Sequence, residues 1–300
     1  MTPSDSRPPR PTSPRPEALE GLIQRATLAD GSPPFSDGAL VELANGTREL
    51  LWVGDAAALV TPTEAEFVVD PDARRHGHGT RMLEALTTDH AMLFWAHGDH
   101  PAARALAASH GLVAARTLLH LEAPVPPLLP LLRSFGAETG ISAPEPATWH
   151  ETSGETERWW SSYAPAYADA WLVLNARAFA HHAEQGAVTQ ADLDVITAEP
   201  WFDPDDFLLL WDSEALIGYC WLKLDGGEGE FYVVGVSPDR QGQGLGKRLM
   251  EAGFARLASS GIRTAHLYVE GDNVSALALY TSFGFRERSI DVQYCWTSRA

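Results

Sequence analysis

The stretch from Val234 to Lys247 contains residue types and spacings that suit phosphate binding. A β-branched run leads through Pro238 into three glycines at alternate positions, and an amphipathic segment follows. This order predicts a strand, a phosphate loop and a helix. Backbone N–H groups at the start of such a helix, aided by its dipole, bind a pyrophosphate. Glycine suits the loop because it has no Cβ to keep phosphate oxygens away.

Two well-known phosphate loops do not fit this stretch. The Rossmann pattern requires G-x-G-x-x-G, whereas the spacing here is Gln241-x-x-Gly244-x-Gly246. The P-loop lysine is followed by Ser or Thr, whereas Lys247 is followed by Arg248. The glycines therefore belong to a different class of loop.

The downstream sequence identifies that class. A predicted strand (264–269) leads to Asn273, then to a helix that includes Tyr280, then to Phe283-Gly284-Phe285 and a last strand (290–296). Together with the loop, this order resembles the GNAT superfamily of acyl-CoA-dependent N-acetyltransferases. The resemblance implies an α/β fold, with a twisted mixed β-sheet flanked by helices, and acetyl-CoA as acetyl donor.

The chain contains the loop motif twice. When Arg74 is placed on Gln241, Gly77 aligns with Gly244 at the same offset (244 − 77 = 167), and Gly111 later mirrors Gly284. Self-similarity of this kind indicates duplication. We therefore expect a disordered tail (1–16), an N-terminal GNAT domain (17–123), a linker region (124–146) and a C-terminal catalytic GNAT domain (147–300).

The two copies differ in their chemistry. Tyr280 in the second copy corresponds to Ala107 in the first, and Glu230 corresponds to Thr63. We therefore expect the first copy not to catalyse. Acetyl-CoA binding and a purely structural role both remain open for it.

The GNAT resemblance also implies which residues contact acetyl-CoA. Backbone N–H groups of Val234 to Val236 would lie where two strands part, and would polarise the thioester and stabilise an oxyanion. The expected acetyl-CoA-binding residues are Val234, Gly235, Val236, Gln241, Gly242, Gln243, Gly244, Leu245, Gly246, Lys247, Asn273, Val274, Ser275, Ala276, Leu277 and Ala278, with Phe67, Val68, Val69, Arg75, Gly77 and Gly79 in the first copy.

Two side chains are expected to catalyse the transfer. The acceptor amine is protonated at neutral pH and must lose a proton before it attacks. Glu230 is the expected base, because burial beside an apolar strand would raise its pKa. Tyr280 is the expected acid for the departing thiolate. His181 and His182 are rivals for the base, although a surface or substrate-contacting role suits them better.

The acceptor is suggested by a narrower resemblance. The segments 175–186, 201–207, 218–223, 229–236, 267–273 and 289–294 resemble the mycothiol synthase family. That family acetylates the cysteinyl amine of cysteinyl-glucosaminyl-inositol. The resemblance implies substrate contacts at Asp37, Glu184, Lys223, Glu230 and Tyr268. Two alternatives stay open: a tandem GNAT enzyme for another amine, such as an aminoglycoside or a protein N-terminus, and a non-catalytic acetyl-CoA-binding module.

Composition limits the remaining functions. The 300 residues have a formal net charge of −18, which disfavours a nucleic-acid partner. No apolar run approaches the length of a membrane span, and the first 16 residues lack the apolar core of a secretory signal. Cys220 and Cys295 are expected to pack in the core, without a disulfide framework or metal site. We expect a cytoplasmic monomer that acts on a small aminosugar thiol.

Overall fold

The computed structural model describes residues 17–87, 90–127, 149–153, 156–180 and 185–297, with side chains described except at 37 and 149–157. The chain divides into two compact units. Unit 1 contains the described residues up to Leu119, together with Glu270–Asp272 and those from Ser289 onward, and unit 2 contains the rest. The division therefore differs from the predicted domain bounds in its assignment of the C-terminal residues. The predicted tail and most of the predicted linker lie outside the described residues.

Unit 1 is built from helices on a mixed sheet. Its elements are α1 (Glu17–Asp30), α2 (Asp37–Asn45), β1 (Glu49–Val53), β2 (Ala56–Val60), β3 (Glu64–Val69), α3 (His78–Leu86), β4 (Met92–His97), α4 (Pro101–His110) and the first part of β5 (Val113–Pro124). Pairing is antiparallel for β1–β2 and β2–β3, and parallel for β3–β4. Residues 291–296 of the last strand, β12 (Arg286–Trp296), pair antiparallel with β4.

Strand β2 shows why helices cover both faces of this sheet. Ala57 and Leu59 are buried with residues of α1 and α2, whereas Ala56 and Ala58 are buried with residues of α3. Alternate residues of a strand point to opposite faces. A continuous apolar run is therefore a strand buried on both sides.

Unit 2 contains the second copy of the motif. Its elements are β6 (Trp149–Ser153), β7 (Thr156–Ser162), α5 (Ala168–Ala178), α6 (Gln190–Ile196), β8 (Phe207–Asp212), β9 (Ala215–Asp225), β10 (Glu228–Val236), α7 (Leu245–Ser259), β11 (Thr264–Glu270) and α8 (Val274–Ser282). The strand order is β11-β10-β9-β8-β7-β6. Neighbours are antiparallel, except that β10 and β11 are parallel.

The sheet of unit 2 also has two covered faces. On one face, Trp171 of α5 packs edge-on against Phe207, Tyr219 and Trp221. On the other face, Phe254 of α7 contacts Phe231. These aromatic contacts hold β9 and β10 rigidly between the two layers. The mixed α/β fold expected from the sequence is confirmed.

The two copies share the local geometry of strand, short 3-10 helix and α-helix. The 3-10 turn is Pro71–Ala73 in unit 1 and Pro238–Arg240 in unit 2. The following helix begins after Gly77 in one copy and after Gly244 in the other, with φ of 79° and 76°. Both glycines therefore have the left-handed conformation that an L side chain adopts only with strain. Across the described ranges, no helix is long and apolar enough to cross a membrane.

Candidate active site

The strands β10 and β11 separate soon after they begin to pair. Their parallel register contains only Gly229 opposite Ala265 and Glu230 opposite His266, although β10 continues to Val236. On its other edge, β10 stays paired with β9 up to Val236, with a bulge between Phe231 and Val233. The rest of β10 therefore has one edge that is not paired with β11.

The direction of the backbone groups follows from one hydrogen bond. The Ser237 N–H donates to Ile217 O on the β9 side at 2.9 Å. Alternate N–H groups of a strand point to opposite neighbours. The Gly235 N–H therefore points toward β9 as well, and those of Val234 and Val236 point toward the edge where pairing with β11 has ended. Two neighbouring donors that face a gap are suited to bind a developing oxyanion.

The loop after β10 leads directly into the start of α7. Gly242 and Gly244 both have φ of 76°, and residues Gln241 to Gly244 are exposed. The first backbone bond of α7 is from Arg248 N to Gly244 O. The N–H groups of the first helical turn precede that bond and so have no partner inside the helix. Because Gly244 occupies the capping position without a side chain, these donors face outward. The loop can therefore hold a pyrophosphate.

Helix α8 begins at the predicted cofactor segment. The Asn273 side chain caps it by accepting from Ala276 N at 3.1 Å, and Ser275 Oγ also donates to Asn273 Oδ1. Val274 is 75% exposed. A Cβ on Gly246, at the start of α7, would lie 3.2 Å from Leu279 Cδ2 of α8. Glycine at this position therefore allows α7 and α8 to approach closely.

Tyr280 lies on α8, with its ring against Phe285 at 5.9 Å between centroids. Burial, together with the nearby Cys220 thiol, raises the pKa of Tyr280 to about 12. The phenol therefore keeps its proton at neutral pH. Cys220 is paired with Val234 in the β9–β10 register, so Tyr280 is close to the strand that carries the two free donors.

Glu230 lies between two basic side chains in neighbouring strands. It is opposite Lys223 of β9 and opposite His266 of β11. Burial raises the pKa of Glu230, and the nearby charges of His266 and Lys223 oppose that shift. A half-buried carboxylate with a raised pKa takes up a proton more readily than an exposed one. Glu230 and Tyr280 share no hydrogen bond within the described part of the chain.

The predicted acceptor residues are only partly brought together. The Lys223 ammonium lies over the Trp201 ring at 5.2 Å, and Trp201 also contacts Tyr232 at 5.4 Å. Tyr268 is 49% exposed, and its ring stacks on His120 at 4.5 Å. Lys223, Glu230 and His266 form a row of polar side chains across β9, β10 and β11, and Tyr268 lies two residues further along β11. Glu184, His181 and His182 lie outside the described residues, as does the side chain of Asp37, which begins α2.

The loop of unit 1 differs in its contacts. Arg75, the counterpart of Gly242, has φ of 67° although it carries a side chain. Arg74 is held by Asp30 through two bonds of 2.6 and 2.7 Å, and His78 Nδ1 accepts from Asp55 N. Strands β3 and β4 pair from Glu64 to Glu66. The predicted cofactor residues Phe67, Val68 and Val69 therefore follow the end of this pairing, and Gly77 and Gly79 lie at the start of α3.

Sequence reasoning missed five residues around the site. Asn175 Oδ1 accepts from the Tyr219 hydroxyl at 2.6 Å and from Gln185 Nε2 at 3.0 Å. Trp201 supports Lys223, and His266 faces Glu230. No spacing in the sequence identifies these residues, because each acts across strands or helices. In the residues that the structure describes, no group of three or more His, Cys, Asp or Glu side chains could hold a metal ion.

Comparison with known proteins agrees with this geometry. The family model "Acetyltransferase (GNAT) family" matches residues 144–285. A mycothiol acetyltransferase from Clavibacter sepedonicus is 41% identical over 96% of this chain and 97% of its own length. Those from Clavibacter michiganensis subsp. michiganensis and Streptomyces coelicolor are 43% and 39% identical, over 94% and 93% of this chain and 92% and 90% of theirs.

Solved structures share the fold at low identity. A GCN5-related N-acetyltransferase from Sphaerobacter thermophilus has a TM-score of 0.63 at 18% identity, over 93% of this chain and 91% of its own. A tandem GNAT protein from the clavulanic acid biosynthesis pathway has a TM-score of 0.56 at 16% identity, over 93% and 94%. The protein is thus an acyltransferase that uses acetyl-CoA as donor. The chain belongs to the mycothiol acetyltransferase family of the GNAT superfamily.

Proposed function

We propose that this enzyme acetylates the cysteinyl amine of cysteinyl-glucosaminyl-inositol and so forms mycothiol. The observation that carries the proposal is the placement of Lys223, Glu230 and Tyr268 on one sheet face, beside the gap between β10 and β11. A carboxylate, an ammonium and a phenol suit an acceptor that combines an amine with many hydroxyl groups. The name shared by relatives about 40% identical along nearly the whole chain supports the same acceptor.

The donor end is bound by residues of unit 2. The loop 241–247 offers the free N–H groups of the first turn of α7 to the pyrophosphate. The Val234 and Val236 N–H groups stabilise the charge that develops on the acetyl oxygen. Asn273 and the residues up to Ala278 contact the thiol-bearing arm. Residues 67–69, Arg75, Gly77 and Gly79 are proposed to bind a second acetyl-CoA in unit 1 without catalysis.

Glu230 starts the reaction by removing a proton from the acceptor ammonium. Its pKa, raised by burial, brings the carboxylate closer to the range in which a general base is effective. The free amine then attacks the acetyl carbonyl carbon. Tyr280 donates to the departing sulfur. A phenol with a pKa of about 12 is a weaker acid than a thiol, so a phenolate would not persist beside the thiol. Tyr280 therefore regains a proton from the acceptor nitrogen as it gives its own proton to the sulfur.

Substitution of Tyr280 tests this assignment. We expect Tyr280→Phe to lower kcat by roughly 10²- to 10³-fold, while the Kd for acetyl-CoA stays unchanged, because only the hydroxyl is lost. Tyr167→Phe is the matched control, since Tyr167 contacts the Trp211 ring away from the gap. Steady-state assays measure kcat, and calorimetry measures the Kd for acetyl-CoA. Unaltered kcat in Tyr280→Phe would remove the phenol from the mechanism.

An acceptor screen distinguishes the remaining functions. The enzyme is incubated with acetyl-CoA and, separately, with the cysteinyl pseudodisaccharide, an aminoglycoside and a peptide with a free N-terminus, and products are identified by mass spectrometry. We expect acetylation of the first acceptor at the cysteinyl nitrogen. Faster acetylation of either other amine would overturn the proposed acceptor.

We further propose a cytoplasmic monomer, and sedimentation of the purified protein tests the oligomeric state.

A further inference from the structure

Acetyl transfer to an ammonium requires a path by which a proton leaves the site. The acceptor nitrogen loses two protons when R–NH₃⁺ becomes R–NH–CO–CH₃. One proton ends on the thiol of coenzyme A, and the other must reach solvent. Glu230 is half-buried, so after it has taken up the first proton it needs a partner that exchanges protons with water. This requirement rests on the proposed function of Glu230 as the base.

His266 occupies the position that such a partner needs. It is directly opposite Glu230 in the parallel register of β10 and β11, so both side chains lie on the same face. Its Nδ1 atom is buried and has no hydrogen-bond partner in the part of the chain that the structure describes. Its Nε2 atom lies 3.9 Å from Glu228 Oε2. The side chain of His266 is 15% exposed and that of Glu228 is 61% exposed.

The imidazole ring therefore connects a buried region with solvent. One nitrogen is enclosed in a residue opposite the base, and the other lies near an exposed carboxylate. A buried polar atom without a partner in a folded protein calls for a specific explanation, and transient proton exchange supplies one. Imidazole is the side chain best suited to exchange protons near neutral pH.

The neighbours of His266 orient its ring. His120 of β5 contacts it edge-on at 5.3 Å, and Tyr268 of the same strand contacts it edge-on at 6.3 Å. The charged groups that face it are Glu228 and Glu230 of β10, and Lys223 lies one strand further on. Aromatic contacts on two sides hold the ring plane, so the two nitrogens keep their separate surroundings.

We propose that His266 relays the first proton from Glu230 to solvent. The acceptor ammonium gives its proton to the Glu230 carboxylate, which becomes a carboxylic acid. That acid passes the proton through a water molecule to Nδ1 of neutral His266, and an imidazolium forms. The imidazolium releases its Nε2 proton to water beside Glu228. Glu230 is again a carboxylate, and the imidazole regains its first tautomer by proton exchange with water.

The test compares variants of His266 in the full-length enzyme. We expect His266→Phe, which keeps a ring against His120, to lower kcat about tenfold or more without changing the Kd for acetyl-CoA. We also expect the acidic limb of the pH–kcat profile to change, because the group that receives the proton from Glu230 is lost. For His266→Ala, added imidazole should restore kcat in a concentration-dependent manner.

Two controls separate this relay from other causes. His110→Ala, at the end of α4, should respond to imidazole no more than the unsubstituted enzyme does. Glu230→Gln should lose turnover with or without imidazole. Full turnover in this variant would refute the assignment of Glu230 as the base, which is a separate failure from that of the relay. If Glu230→Gln is inactive while His266→Phe keeps the kcat and pH profile of the original enzyme, the relay is wrong. Failure of imidazole to restore His266→Ala would equally overturn it.

Discussion

Gly235 is a position where a single added methyl group should strongly destabilise the protein, because of the side chain it would meet. A Cβ at this residue would lie 2.5 Å from Cε1 and 2.6 Å from Cζ of Tyr219, and 2.9 Å from its hydroxyl oxygen. Tyr219 is fully buried. Its hydroxyl donates to Asn175 Oδ1 at 2.6 Å, and its ring packs edge-on against Trp171. The ring therefore has no free space in which to move.

The size of the effect follows from these contacts. Overpacking of a rigid core costs about 1–3 kcal/mol. If the ring shifts, the buried bond to Asn175 is lost, and an unsatisfied buried group costs about 1–3 kcal/mol more. We therefore expect Gly235→Ala to lower the free energy of unfolding by about 2–5 kcal/mol. Because the same strand carries the Val234 and Val236 N–H groups, a shift of β10 should also lower kcat.

Urea unfolding and steady-state kinetics measure the two effects. Gly21→Ala in α1 is the matched control, because its Cβ would meet only the flexible end of Arg25 at 3.3 Å. That variant should be neutral or stabilised by up to about 1 kcal/mol. In Gly235→Ala combined with Tyr219→Leu, the shorter side chain leaves room for the methyl group. The double variant should therefore lose less free energy of unfolding than the two single variants lose in sum. Additive losses, or a Gly235→Ala protein as stable as the original, would refute the steric argument.

Two further predictions concern buried polar groups. Asn175→Ala should destabilise unit 2 by about 2–4 kcal/mol, because the Tyr219 hydroxyl and Gln185 Nε2 each lose a hydrogen bond; thermal unfolding checks this, and an unchanged midpoint would contradict it. Although burial opposes its charge, bonds to Asp291 and Glu66 raise the pKa of His97 to about 9. The charged form of His97 therefore adds about 3 kcal/mol to the free energy of unfolding below about pH 6.5, and this contribution is lost as the pH rises through 9. The free energy of unfolding, measured with urea, should fall more between pH 6.5 and 9.5 for the original protein than for His97→Gln. Equal falls would refute the ion pairing.

The sequence predicts the parts of the site that depend on local spacing. Glycine at 244, directly before an amphipathic segment, predicts the left-handed residue and the uncapped helix that follow it, because φ and capping depend on neighbours in the chain. The order of strand, loop and helix likewise predicts that β10 leads into the loop and that Asn273 begins the next helix. Asn273 does cap α8.

Other features depend on pairing between distant residues. Lys223 and His266 come to lie on either side of Glu230 only through the registers of β9–β10 and β10–β11. The bulge between Phe231 and Val233 shifts part of that register by one residue, and a two-residue period in the sequence does not reveal it. Residues 291–296 pair with β4, nearly two hundred positions earlier. A strand pattern predicts a strand, but it does not name the partner.

The two copies differ in how each surrounds a buried carboxylate in its sheet. In unit 1, strand β3 also carries a buried carboxylate, Glu66. Burial alone would raise its pKa, but bonds from His97 and from Ser36 lower it, and Arg48 lies 3.6 Å away. A carboxylate held by fixed donors cannot take up a proton near neutral pH. Glu230 is half-buried without such bonds among the described residues, and its pKa is raised instead. We therefore propose that the loop alone makes neither copy catalytic, and that catalysis requires a poorly solvated carboxylate without fixed hydrogen-bond donors, beside a strand with free N–H groups.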